Sequence, residues 1–498
     1  MSQISEKLSN ARLEEKQGQK IPAAERPRFH LTAFKGWMND PNGFIYYQGQ
    51  YHLFYQYYPY LSRWGPMHWG HAVSKDLLNW EYLPAALAPD QEYDRDGVFS
   101  GSSIELADGR LLLMYTGVHR EKGADGQTET TQTQCLAVGS GIDFKKLPQN
   151  PVINDKSMPE GASREDFRDP KMIRWKDGTI RCIMANRAED GSGQILLYKS
   201  PDGLQWEFEK ILIKNKHRFG VMWECPDLFL LDDRWILIVS PMDMLPVKGK
   251  YPAGNTTICL IGEKGGEPGE LGECPEDMVQ PLDYGIDFYA AQTVLTPDGR
   301  RVMIGWMQNW DDFTIREPDA PWAGQMTLPR ELFLRGGRLC QRPLTELEQF
   351  RREKTEYTGI TVSDRVTLPG IRGRAADLEI RVRPGKENEG YEKFEVHFAE
   401  KGECHTSLSF RPSESLLTID RRFSGTRRAL MHECSCPIDD ARQELKIRVI
   451  LDRFSIEVFA EDGARVMTAA IFTEPDADGI SFHAMGEAQM DVTMYSLG

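Results

Sequence analysis

The chain has 498 residues, 40% hydrophobic and 27% charged, which is the balance of a globular protein and not of a disordered one. At roughly 100–200 residues per domain, that length calls for two or three units. Its 75 acidic and 60 basic side chains give a formal charge of -15, so nucleic acid and anionic membranes are poor partners, and an anionic ligand needs a local basic pocket.

In chain order, residues 1–25 read as a polar N-terminal extension. The opening MSQISEKLSNARLEEKQGQK has no apolar core of the kind a secretory signal carries. No apolar run reaches the ~18–20 residues needed to cross a bilayer. The nine cysteines show no CxxC spacing, and no HExxH offers a metal site. Free thiols and the missing signal predict a cytoplasmic protein without disulfides. There is no sequence signal of oligomeric state.

Residues 26–343 contain five segments of one pattern: a polar start, a short apolar run, a tight turn, then a second apolar run. The turns are Gln48-Gly49, Asp108-Gly109, Asp177-Gly178, Asp232-Asp233 and Asp298-Gly299. Asp-Gly between apolar runs is a strong hairpin signal. Asp40, Ser100, Asp169 and Glu224 each lie nine positions before the second turn residue; Ala290 holds that place in the fifth unit, with Asp287 three residues earlier. Equal offsets imply equal places on equivalent hairpins. Units recurring every 55–70 residues or so suggest four-stranded blades, whose first strands line a common axis. The predicted fold class is therefore all-β: a five-bladed β-propeller over 26–343, followed by a C-terminal β-sandwich. The alternative is a hairpin-rich sandwich in which these carboxylates only form turns.

From residue 344 the character changes. LTELEQFRREK predicts a charged helical linker over 344–356. LEIRVRP, KFEVHFAE, ELKIRVILD, FSIEVFAED and RVMTAAIF then alternate apolar and charged residues, the pattern of half-buried antiparallel strands. Residues 357–498 are expected to form the sandwich, a packing or binding module with nothing catalytic in it.

Three carboxylates converging on one axis fit glycosidic hydrolysis. One carboxyl protonates the leaving oxygen and another attacks the anomeric carbon or activates water. The third can steady the oxocarbenium-like transition state. A Ca²⁺ or Mg²⁺ site is the competing reading. Trp37, Trp64, Trp69, Phe99, Trp223 and Trp306 lie near unit starts or ends, where aromatic faces could pack on sugar rings or simply fill cores. Arg168, Asn39 and Gln56 could pair with hydroxyls, and Arg168 could equally orient Asp169 as an ion pair.

The motifs WMNDPNG at 37–43, FSGS at 99–102, RDP at 168–170 and ECP at 224–226 closely resemble those of the glycoside hydrolase family of invertases, sucrose-6-phosphate hydrolases, levanases and inulinases. RPRFHLT precedes the first motif, MHWGHAVSKDLLNW follows it, and WAGQMTLPREL occupies 322–332. The resemblance runs from about residue 26 to the end. It implies Asp40 as nucleophile, Glu224 as general acid/base and Asp169 as transition-state stabiliser. It also implies Asn39, Gln56, Trp64, Phe99, Ser100, Arg168 and Trp306 around a fructosyl ring, a small carbohydrate substrate, and neither metal nor organic cofactor. Tyr58 stands where the family usually has Asn, which puts contacts beyond that ring in question. The implied activity is retaining β-fructofuranosidase on sucrose, sucrose 6-phosphate or short fructans. A fructosyltransferase would use the same residues. A non-catalytic fructan-binding protein should lack one of the triad.

Overall fold

The computed structural model describes residues 4–498 apart from 19, 124, 248, 252–253, 269–270, 272–278, 312–318, 386–389, 426–428 and 440–443. The turn residues act as their chemistry dictates. Gly49, Gly109, Gly178 and Gly299 take φ of 83°, 81°, 83° and 88°. The fourth unit manages without glycine: Asp232 and Asp233 adopt φ of 47° and 64°, a left-handed backbone that short polar side chains tolerate.

Each hairpin begins a sheet of four antiparallel strands, to which the first blade adds a fifth, parallel one. The innermost strands are Gly36–Tyr47, Gly97–Glu105, Ala162–Arg174, Trp223–Leu231 and Tyr289–Leu295. They touch one another in cyclic order, the fifth returning to the first, so the five sheets are blades of a closed propeller. Strand pairing also ties the ring: Trp322–Ala323, a strand late in the ring, pairs parallel with Gly36 and Trp37 of the first blade. Gly324 permits that approach. A Cβ there would stand 1.9 Å from the Met38 carbonyl oxygen, and φ is 84°.

Apolar clusters fill the gap between each pair of neighbouring blades. Leu53, Tyr55, Val302 and Ile304 join the first blade to the fifth; Ile183, Ile195, Leu237 and Leu260 join the third to the fourth. Because both faces of each blade are buried, the blade strands read as near-continuous apolar runs.

The N-terminal extension contains a helix, Glu6–Gly18, that lies on the outermost strand of the first blade, Trp80–Leu87. Arg12 Nε donates to the Ala85 carbonyl at 3.0 Å, and the Glu15 carboxylate accepts from the Ala85 N–H at 3.1 Å. The helix thereby satisfies backbone groups of an otherwise open sheet edge. Burial raises the Glu15 pKa to about 7. No helix among the described residues is long and apolar enough to cross a membrane.

The C-terminal part is two packed six-stranded antiparallel sheets around a core that includes Leu378, Val396, Phe398, Val449 and Phe482. The stretch expected as a helical linker over 344–356 differs from that expectation. Only Thr345–Phe350 is helical, as a short 3-10 segment, and Arg351–Val362 is already an edge strand. Its Arg, Glu and Lys side chains are mostly exposed, and charge on an edge strand gives the same polar pattern as a solvated helix.

Charged residues buried on both sides join propeller and sandwich. His30 bridges Asp452 Oδ2 and Glu457 Oε1, each at 2.8 Å, and Arg330 reaches Glu457 Oε2 and Asp283 Oδ2, each at 2.9 Å. Asp287 pairs with Arg421 at 2.6 Å.

Candidate active site

Strand pairing slips in every innermost strand at the repeat offset found in the sequence, and the first and third strands slip a second time elsewhere. The slips at the offset fall between Met38 and Pro41, Phe99 and Gly101, Arg168 and Lys171, Glu224 and Asp227, and Tyr289 and Gln292. Asp169, Cys225 and Ala290 there adopt φ of 62°, 48° and 54°. Such bulges bend a strand and re-aim its side chains. Here they turn side chains from several blades toward one axial pocket.

Asp40 is nearly buried and accepts three hydrogen bonds: Ser100 Oγ at 2.6 Å, Asn39 Nδ2 at 3.0 Å and the Cys225 thiol at 3.4 Å. Asn39 is fixed in turn by Trp37 Nε1 at 2.8 Å. The Asp40 carboxylate is thus locked in orientation. Asp169 Oδ2 accepts the Cys225 backbone N–H at 2.9 Å, while the Asp169 N–H donates to Thr116 Oγ1 at 3.1 Å. Glu224 is held at both oxygens, by Arg168 Nε at 2.9 Å and the Tyr289 hydroxyl at 2.7 Å. Arg168 is itself steadied by Asp166 at 2.8 Å and by Gln132.

The charges do not balance, and protonation follows. Burial pushes the Glu224 carboxyl up; Arg168 pulls it down, Asp40 adds to the rise, and Tyr289 opposes it, leaving a net upward shift. Burial carries Asp169 up to about 7 against the pull of Arg168, with Glu224 and Asp40 adding repulsion. Near neutral pH the Asp169 and Glu224 pair therefore holds back a proton. Burial likewise raises the Cys225 thiol, and the facing carboxylates reinforce it, so it acts as a donor. A locked carboxylate opposite a proton-bearing one is the equipment of general acid and nucleophilic catalysis. The carboxylates of Asp40, Asp169 and Glu224 do not all bring oxygens within 4.8 Å of one another, which counts against the metal alternative.

The aromatic residues divide. Trp306 and Trp37 meet edge to face at 5.9 Å, and Trp64 and Phe99 do so at 6.1 Å; all four share an apolar cluster with Cys225 and Tyr289. The Trp306 ring nitrogen has no partner among the described residues. Gln56 is buried beside them and donates to the Val98 carbonyl at 3.1 Å. Trp69 and Trp223 instead fill cores between blades. Tyr58 packs on Tyr60 and lies against Gly65, beside Trp64. Asp287 stays off the axis, bonded to Arg421 and the Ala470 N–H.

Sequence reasoning missed Tyr289, Cys225, Thr116 and Gln132. For Tyr289 a signal existed. It adjoins Ala290, the offset position of the fifth unit, as Arg168 adjoins Asp169 and Asn39 adjoins Asp40. Cys225 likewise adjoins Glu224 within the ECP motif, whereas no local pattern marks Thr116 or Gln132.

Residues 30–343 match the glycosyl hydrolases family 32 N-terminal domain, and residues 346–496 match the family 32 C-terminal domain. The chain is 37% identical to the raffinose invertase of Escherichia coli over 95% of each chain. It is 35% identical to a sucrose-6-phosphate hydrolase of Zymomonas mobilis, over 96% of this chain and 93% of that one. Among solved structures, a β-fructofuranosidase of Bombyx mori superposes with a TM-score of 0.81 at 33% identity, covering 98% of this chain and 97% of that one. A mutant of the Bombyx mori enzyme was solved in complex with sucrose. Two domain matches over nearly the whole chain, with the likeness to these relatives, place it as a member of glycosyl hydrolase family 32.

Proposed function

We propose that this chain is a retaining β-fructofuranosidase that hydrolyses the fructosyl bond of sucrose, sucrose 6-phosphate or short fructo-oligosaccharides. Asp40 attacks the anomeric carbon while Glu224 delivers its proton to the departing oxygen. The Glu224 carboxylate then takes a proton from water, which releases fructose from Asp40. Asp169, near enough to feel the charge of both, steadies the positive charge that develops on the sugar. Arg168 and Tyr289 hold Glu224 in place through both steps. Trp306, Trp64, Phe99, Asn39, Gln56 and Ser100 surround the fructosyl ring. Catalysis belongs to the propeller, 26–343, and the sandwich, 357–498, supports it. The eight described cysteines are all unpaired, which favours a reducing, cytoplasmic setting.

One observation carries this reading: Asp40 is fixed by three donors while Glu224, bonded at both oxygens, has a raised pKa. Two inversions at the anomeric carbon give net retention. Proton NMR of the first-formed fructose, recorded before mutarotation, should therefore show the β-furanose. If the α-furanose appears first, attack by Asp40 is wrong. Initial rates should give a higher kcat/KM on sucrose or sucrose 6-phosphate than on inulin or levan; a marked preference for the polymers would overturn the substrate assignment. Predominant oligosaccharide products at low sucrose would mean transfer, not hydrolysis.

A further inference from the structure

The carboxylates occupy one end of the propeller axis. Further along the same strands lies a second cavity, of about 400 Å³. All five innermost strands supply its wall, each a few residues beyond the site: Phe44 after Asp40, Ser103 after Ser100, Lys171 after Asp169, Asp227 after Glu224, and Thr293 after Ala290. The volume suits one small ligand of hexose size.

Its polar groups are only half used. Asp227, with a side chain 1% exposed, accepts Lys171 Nζ at 2.9 Å and the Thr293 N–H at 2.6 Å through one oxygen. Its other oxygen has no hydrogen-bond partner among the described residues, and neither has the Thr293 hydroxyl or Arg301 Nε. Three unpaired buried polar atoms around one cavity are unusual, because each forfeits its hydration. Together they offer an acceptor, a hydroxyl and a cationic donor.

The charge of this cavity opposes that of the chain. Lys171, Arg174, Lys176 and Arg301 face a single carboxylate, Asp227, in a protein of net charge -15. The apolar part of the wall is aromatic. The Arg301 guanidinium lies over the Phe229 ring at 4.9 Å, and Trp175 stacks parallel on Trp235 at 4.9 Å. Excess positive charge asks for an anion. The free carboxylate oxygen asks for a ligand that also donates hydroxyls. Aromatic faces ask for apolar C–H surface, which inorganic phosphate lacks.

We propose that this second axial cavity binds a small phosphorylated sugar, with the phosphate at Arg301 and the basic rim and the hydroxyls at Thr293 and Asp227. The test is calorimetric titration of the intact protein with glucose 6-phosphate, and in parallel with inorganic phosphate and with glucose. One saturable site for glucose 6-phosphate is expected. Affinity should fall about tenfold or more in Arg301→Gln, which loses a charge-assisted donor. It should fall roughly two- to fivefold in Lys176→Gln, an exposed position where folding is not at stake. Sucrose turnover should be unchanged in both variants. The proposal is overturned if inorganic phosphate or glucose binds as tightly, if both substitutions leave binding intact, or if all binding is competitive with sucrose and so belongs to the other end of the axis.

Discussion

The propeller axis and the seam between propeller and sandwich both bury clusters of charged side chains, with opposite results. At the seam, His30 and Arg330 stand among Asp452, Glu457 and Asp283, so each of these carboxylates has a cation in contact. Burial would push Asp452 and Glu457 up, yet His30 and Arg330 outweigh it and both end below the ordinary carboxylate range. Burial alone would pull His30 down, but its bonds to Asp452 and Glu457 lift it to about 9. At the axis three carboxylates share one contacting guanidinium, and burial wins: Glu224 and Asp169 rise. Comparable burial thus leaves charge fixed at Asp452 and Glu457, which His30 and Arg330 hold, while Asp283, which shares Arg330 with Glu457, rises with burial as the axial pair does.

The largest expected effect tests the axis. Asp40→Asn or Glu224→Gln should lower kcat by roughly 10³-fold or more, because each removes a participant in the bond-breaking step. Melting curves should stay near those of the parent. Near-normal turnover in either purified variant would erase the contrast with the seam.

The seam should respond in stability instead. His30→Ala leaves two buried carboxylates short of a partner and should cost about 3–5 kcal/mol in denaturant unfolding, with kcat preserved while the protein is folded. The pH dependence has a definite sign. The His30 pKa is raised on folding, so its contribution is complete below about 6.5 and fades as pH rises through about 9. Asp452 and Glu457 are lowered, so theirs is present above about 4 and fades as pH falls further. The parent should lose melting temperature between pH 6.5 and pH 9 (approximate bounds), and His30→Gln should flatten that decline. An unchanged slope would deny His30 its bridging role.

Tyr289→Phe probes the proton itself. The hydroxyl bonds the Glu224 carboxylate and holds its pKa down, so its removal raises that pKa. The basic limb of kcat/KM should move to higher pH, and kcat should fall by about tenfold for the lost hydrogen bond. A uniform drop without movement of the limb would make Tyr289 a packing residue only. The smallest effect is expected from reductant. Excess dithiothreitol should change neither activity nor melting temperature, since the described cysteines are unpaired at both the axis and the seam. Rapid inactivation would contradict this.

Several features were legible in the sequence because they are local. Asp-Gly turns need left-handed backbone, so hairpins could be found one at a time, and five equal offsets marked Asp40, Ser100, Asp169 and Glu224 as equivalent positions. Ala290 marked the fifth, and with it the neighbourhood of Tyr289. Other features were not local. The charged run after residue 350 suits a helix or an edge strand equally, and only its pairing with Ala488–Leu497 decides for a strand. Asp287 looks like a fourth axial carboxylate until Arg421, 134 residues later, draws it into the seam.

By itself the sequence determined the repeat, the blade hairpins and which carboxylates share a position, since turn chemistry and side-chain period act over a few residues. Tertiary structure decided what those carboxylates are. Bulges that appear only when strands pair turn them to the axis, ring closure through Trp322–Ala323 brings distant blades together, and burial beside a single contacting guanidinium raises the pKa of Asp169 and Glu224. Desolvation and Coulomb repulsion depend on distances across the ring, and residues 40, 169 and 224 acquire those distances only on folding.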